Sequence, residues 1–304
     1  MGDRTRGRMG ALFGVELRRA LGRNPWFWTS LGVGVALALW TVWANWSAWG
    51  ANQLPLAIES WDVKEFGYGG FSPFSQWMPI HCQDGAAGAF FSVWPILAAL
   101  PYAWAWASDA KTGVLAQQQT RATQDQVVGA KLLATAVSGA LAVCVPLVAN
   151  FLALACLYPI DPAFPNQVME VGVWNGMPLA GLFYTCPVAF LVLWTLFDAA
   201  VGALWAVLVC ALSALVADFL ESVVLSYLVL QLLAYVGQQL YGVIGAMAAD
   251  GSLQGVAREV QSGLDLLHLT QLNIVSWPTL ALDVALLAVA AASLVCVLRG
   301  RDVL

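Results

Sequence analysis

Residues 171–217 read VGVWNGMPLAGLFYTCPVAFLVLWTLFDAAVGALWAVLVCALSALVA, and Asp198 is the one charged residue among them. A membrane crossing takes about 20 apolar residues, so the run is long for one crossing and tight for two. It reads either as a single helix that starts at Pro187 and carries Asp198 inside it, or as two helices joined by a turn at Asp198. The triplet Phe197-Asp198-Ala199 offers neither Gly nor Pro to make that turn. Positive charge points the same way. With one crossing here, the chain crosses six times, at about 26–46, 88–107, 130–157, 187–214, 222–244 and 277–298, and both termini lie in the cytoplasm. That arrangement puts 11 of the 13 Lys and Arg residues inside and leaves only Lys64 and Arg258 outside. Two crossings would put 10 of 13 inside. Six crossings are therefore expected.

The composition supports a membrane setting throughout. Of 304 residues, 60% are hydrophobic and 10% charged, 15 are Trp, and mean hydropathy is +0.74. A soluble domain carries about 25% charged residues, so there is too little charge here to coat a water-facing surface. The fold class expected is an all-α integral membrane protein, a single transmembrane domain over 1–304. Its expected location is a cell membrane, in particular a bacterial plasma membrane. A net charge of −5 argues against nucleic acid as a partner, which would require a basic face. Of the six cysteines, all but Cys82 lie in apolar stretches and none form a C-x-x-C pair, so neither a disulfide framework nor a zinc site is read. The basic start at Arg4, Arg6 and Arg8 is followed by an apolar run only from Pro25, too distal and too long for a cleaved signal.

Three segments outside the crossings stand out. Residues 8–23 put Leu12, Phe13, Leu17, Ala20 and Leu21 on one helical face, with Arg18, Arg19 and Arg23 elsewhere, as an amphipathic helix lying on the membrane surface does. The polar segment 108–130 contains no Pro and is expected to form a helix of about four turns beneath the bilayer. The external segment 47–87 carries Trp61, Phe66, Tyr68, Phe71, Phe74 and Trp77 among Gly and Pro, so it is expected to fold or to pack on the crossings. Trp26, Trp28, Trp43, Trp46 and Trp49 bracket the first crossing at headgroup level, and membrane lipids are their expected partners.

Residues able to do chemistry are few. No G-x-x-x-x-G-K-[ST] loop is present, so nothing in the chain cradles nucleotide phosphates. His81 and His268, the only histidines, lack a G-x-S-x-G partner; with Asp84 and Asp265 they would make a metal site only if their two loops met. Asp198 and Asp283 fall within crossings, where a carboxylate costs about 2.5–3.5 kcal/mol unless it is paired or wetted. They read as a proton relay, a paired-Asp hydrolase or a polar stretch of a transport path. The plainer alternatives are an interhelical bond for Asp198 and partial wetting near the outer surface for Asp283. Their contexts differ from the Tyr-Asp and Gly-x-Gly-Asp of aspartyl intramembrane proteases. Asn150 reads as an interhelical hydrogen bond, with a place in the transport path as the alternative.

The run Ser108-Asp109-Ala110-Lys111-Thr112-Gly113-Val114-Leu115, then Thr120-Arg121, then Gly129-Ala130-Lys131-Leu132-Leu133, resembles the loop between the second and third spans of permeases of the ABC type-2 exporter family. That loop often shows an acidic residue four positions before Gly, a Pro/Thr-rich bend with Arg, and a Gly-Lys opening the third helix. The Glu-Leu-Arg-Arg run at Glu16–Arg19 and the Ser-Ala-Leu at Ser213–Leu215 are similar as well. The chain differs in having Asp109 where Glu is usual, a glutamine run at Gln117–Gln119, and a longer first external loop. The resemblance implies a coupling helix between spans 2 and 3 whose Asp109, Lys111, Gly113, Thr120, Arg121, Asp125 and Lys131 meet a separate cytosolic ABC ATPase. ATP and Mg would be bound by that partner, and no cofactor by this chain. It also implies pairing with a second copy or a related permease, and export of a drug, peptide or lipid without enzymatic activity in the chain itself. The rival expectations are a proton-coupled carrier using Asp198 or Asp283, and a peptide sensor or immunity protein that binds its ligand at 47–87.

Overall fold

The structure, a computed structural model, describes residues 2–22, 24–59, 69–81, 85–165, 168–216, 218–247, 253–272 and 276–300. Among the described residues the chain is helical, with no β-strand. In chain order the helices are α1 (Gly2–Leu21), α2 (Pro25–Asn45), α3 (Ala51–Glu59), α4 (Gly85–Ala99), α5 (Ala105–Lys111), α6 (Val114–Gln119), α7 (Gln124–Ala155), α8 (Val168–Val171), α9 (Ala180–Thr185), α10 (Pro187–Val216), α11 (Phe219–Met247), α12 (Gln254–Leu264) and α13 (Trp277–Gly300). Five helices among the described residues, α2, α7, α10, α11 and α13, are long and apolar enough to cross a membrane. The chain is a multi-pass membrane protein.

Asp198 lies inside α10, which runs unbroken from Pro187 to Val216, so no turn forms there. The crossing expected at 88–107 is not one helix. It is α4, of 15 residues, followed by a turn at 100–104 and then α5. Pro101 is the physical cause: it has no N–H to give the Leu97 carbonyl, and its ring crowds that carbonyl. Ser30 on α2 makes the missing bond, its Oγ donating to Leu97 O at 2.6 Å. The Pro101 carbonyl in turn accepts from Asn24 Nδ2 and, at 3.2 Å, from Trp104 Nε1.

The segment 108–130 also departs from a single four-turn helix. Gly113 has φ +74°, a left-handed conformation that costs glycine little, and it separates α5 from α6. A second turn at Thr120–Thr123 leads into α7, which starts at Gln124 with a Thr123–Gln126 capping box, earlier than the expected opening near 130. At 32 residues α7 is about 48 Å long, so part of it stands beyond a hydrocarbon layer of about 30 Å.

Glycines bring the long helices together. A Cβ on Gly139 of α7 would sit 2.5 Å from Ala206 Cβ and 2.9 Å from the Gly202 carbonyl of α10, and one on Gly34 of α2 would sit 2.7 Å from Pro146 Cγ of α7. Small residues at such crossings let helix backbones approach closely where no hydrophobic force separates helix from lipid.

At the end of the bundle away from α1, residues 69–81 fold back into the core. Phe74, Trp77, Met78 and Ile80 are buried there. Trp77 Nε1 donates to Leu147 O at 3.1 Å, and Leu272 N donates to Pro79 O at 3.0 Å. The packing expected of the aromatic segment is found for Phe71, Phe74 and Trp77, whereas Trp61, Phe66 and Tyr68 lie outside the described residues. Trp26, Trp28 and Trp43 are half or more exposed on the outer face of α2, where a lipid-facing belt would have them.

Candidate functional site

The described charged side chains converge most closely where α1 meets α5, α6 and α7. On α1, Glu16 falls on the same helical face as Phe13 and Ala20, and that face packs inward, so the carboxylate is buried. Lys131 Nζ donates to Glu16 Oε1 at 3.1 Å and also to Asp109. Arg19 grips Asp109 with both terminal nitrogens, each at 2.7 Å. Such a two-pronged contact is the geometry a guanidinium and a carboxylate prefer. Tyr102 donates its hydroxyl to Glu16, and Gln118 Nε2 donates to Glu16 Oε1 at 3.0 Å. The Arg19 guanidinium also lies 5.6 Å from the centre of the Trp104 ring.

Two acids and two bases make the network neutral, which permits its burial: Asp109 is 0% exposed and Lys131 1%. Burial pushes the Asp109 carboxyl up, but the Arg19 guanidinium and Lys131 ammonium outweigh it and hold it below the usual carboxylate range. The same pairing raises Arg19 above its ordinary value. Asp109 and Lys131, expected to face a cytosolic partner, are thus turned inward and pair with each other. What remains exposed is an edge carrying Lys111, Gly113, Thr120, Arg121 and Asp125. Lys111 pairs with Asp218, before α11, at 3.1 Å and holds the Asp218 carboxyl below its usual range.

The residues expected inside the membrane behave differently from one another. Asn150 bonds between helices: its Nδ2 donates to Ala38 O at 2.9 Å and Thr41 Oγ1 at 2.8 Å, and its Oδ1 accepts from Met78 N at 3.2 Å. Asn45, Gln76 and Tyr158 extend this polar patch, with Tyr158 Oη donating to Asn45 Oδ1 at 2.6 Å and Asn45 Nδ2 to Gln76 Oε1 at 2.7 Å. Asp198 has no bond to a neighbouring helix. It is fully buried, and among the described residues neither of its oxygens has a hydrogen-bond partner. Asp283 is likewise buried, and among the described residues neither of its oxygens has a hydrogen-bond partner.

The two histidine-bearing segments do meet, through the Leu272–Pro79 bond. Yet His268 Nδ1 is occupied by Asp265, at 2.7 and 2.8 Å, and no group of three possible metal ligands occurs among the described residues. Asp84 and Cys82 lie outside those residues, and Cys144, Cys156, Cys186, Cys210 and Cys296 are free thiols.

The charge network was missed in the sequence because Glu16 and Lys131 look like ordinary surface charges. The available signal was position: Glu16 lies three residues from Phe13 and four from Ala20, on the face that the helix buries. Compared with known proteins, the chain matches no family model, no curated protein and no solved structure.

Proposed function

We propose that this chain is the membrane-spanning permease subunit of an ATP-driven exporter. It moves an amphiphilic substrate, a drug, peptide or lipid, out of the cytoplasm or inner leaflet, and a separate cytosolic ATPase subunit hydrolyses the ATP. One observation carries the reading. The α5–α6 segment is joined through buried ion pairs to both α1 and α7, while its other edge, with Lys111, Thr120 and Arg121, stays exposed. A push on that edge moves α1 and α7 together, because the charges between them cannot separate cheaply. The likeness of 108–133 to the family loop supports the same role. A second copy or a related permease completes the pathway, and the exposed apolar faces of α11 and α13 provide room for that partner and for lipid.

The test is to recover the tagged chain from mild detergent and identify what accompanies it, comparing wild type with Arg121→Glu. A nucleotide-binding protein that accompanies wild type and is released by the charge reversal is the expected outcome. Failure to recover any ATPase, even after cross-linking, overturns the reading.

The unpartnered Asp198 and Asp283 favour a second reading, a proton-coupled carrier. Under it, transport in vesicles follows an imposed pH gradient without ATP and is lost in Asp198→Asn. Under the exporter reading, transport requires ATP.

A further inference from the structure

The junction of α1 and α2 forms an open pocket of about 530 Å³, lined by Arg18, Arg19, Gly22, Asn24, Trp26 and Trp104. That volume falls within the usual range for small-ligand sites. Its walls are held in place. Asn24 is buried and fully engaged: its Nδ2 donates to Ala20 O at 3.0 Å and to Pro101 O, and its Oδ1 accepts from Trp26 N at 3.1 Å. Trp28 Nε1 donates to Gly22 O at 3.1 Å, and Trp104 Nε1 is bound to Pro101 O.

Charge at the pocket is unbalanced. Arg19 is neutralised by Asp109, but among the described residues Arg18 makes no ion pair, and no carboxylate lines the pocket. The site therefore carries net positive charge and favours a net-anionic head group; the face of Trp26 can attract an ammonium group, but the Arg18 charge opposes it. Trp26 is 52% exposed at the start of an apolar helix long enough to cross a membrane, the depth at which lipid phosphates lie. An aromatic rim there suits the glycerol and first acyl carbons of a lipid.

We propose that this pocket holds the head group of a net-anionic phospholipid, with Arg18 receiving its phosphate and Trp26 covering its glycerol. The lipid then pins α1 to α2 beside the ion network. The proposal stands on the pocket alone, whether or not the chain transports anything.

The test uses the full-length chain in neutral detergent, titrated with short-chain phosphatidylglycerol, short-chain phosphatidylcholine and inorganic phosphate. Both lipids carry the phosphate, so the preference comes from the choline ammonium, which Arg18 repels: wild type is expected to bind phosphatidylglycerol about tenfold more tightly than phosphatidylcholine. Arg18→Gln is expected to remove that preference, and Trp26→Ala to weaken both lipids while keeping their ratio. Arg18 is exposed and makes no ion pair among the described residues, so size-exclusion elution and helical content of Arg18→Gln should match wild type. Equal binding of the two lipids, or an Arg18→Gln variant that retains the preference, overturns the proposal. So does a Trp26→Ala variant that binds both lipids as wild type does. Displacement of phosphatidylglycerol by an equal concentration of inorganic phosphate identifies the pocket as a soluble-anion site instead, and overturns it as well.

Discussion

Lys131 is the residue on which the interior electrostatics turn, since its ammonium serves both Glu16 and Asp109. Replacing it with Met leaves two buried carboxylates sharing Arg19, itself partly exposed. Removing one partner of a buried pair costs about 3–5 kcal/mol, so Lys131→Met is expected to lower the thermal midpoint in detergent by many degrees. A midpoint within a degree or two of wild type would show that the network contributes nothing to stability. Asp109 has a pH signature of its own. Its folded-state value is depressed, so its contribution is fully present above its unfolded pKa of about 3.9 and is lost as pH falls through the lower folded value. The midpoint difference between wild type and Asp109→Asn should therefore be constant from neutral pH down to about 5 and shrink below about 4. None of this was legible from charge alone. An acid and a base 93 residues or more from Glu16 in the chain are brought to it only by tertiary packing, and their spacing in sequence carries no trace of it.

Among the elements, the long apolar helices were the most legible, because a crossing leaves a charge-free window that composition reports directly. Pro187–Val216 is one such case, a single helix despite Asp198. The second expected crossing is broken into two helices for a local reason. Hydropathy passes through Pro101 without notice, whereas the backbone cannot, and Ser30 and Asn24 supply bonds around the break that no window average registers. Tryptophan was only half legible for a related reason. Trp26 and Trp28 face outward as a belt requires, but Trp77, Trp94, Trp194 and Trp205 are interior, and each donates its indole N–H to a backbone carbonyl on another element. Where α7 and α10 cross, the prediction is steric. A methyl on Gly139 would meet Ala206 and the Gly202 carbonyl too closely, and overpacking costs about 1–3 kcal/mol. Gly139→Ala is expected to lower the thermal midpoint, while Gly10→Ala, with open space around its Cβ position, should not. Equal midpoints for the two variants would contradict the crossing.

Across the whole molecule, the order of helices alternates between two ends, with the ion network at one and residues 69–81 at the other. By the positive-inside rule the network end is expected to face the cytoplasm. Single cysteines introduced in a background without the native ones test this: Gln117→Cys should react with a membrane-impermeant maleimide only after permeabilisation, and Leu253→Cys in intact cells. The reverse pattern would invert the topology, and labelling of both from outside would break the alternation. The sequence carried this pattern in its Lys and Arg, yet it gave no hint that the 69–81 segment is clasped by residues from the far end of the chain. Pro79 is held by Leu272, and Trp94 by Leu267 across a separation of 173 residues. This imposes an order on biosynthesis. The ribosome releases the aromatic segment early, and α2 and α7 hold Gln76, Trp77 and Met78 by midway, but the Leu272 bond that closes over Pro79 forms only when most of the chain has been made. Until then the Pro79 end of the segment is unclosed, so a translation product stopped before residue 267 should be more sensitive to protease there than the full chain even with its earlier helices inserted.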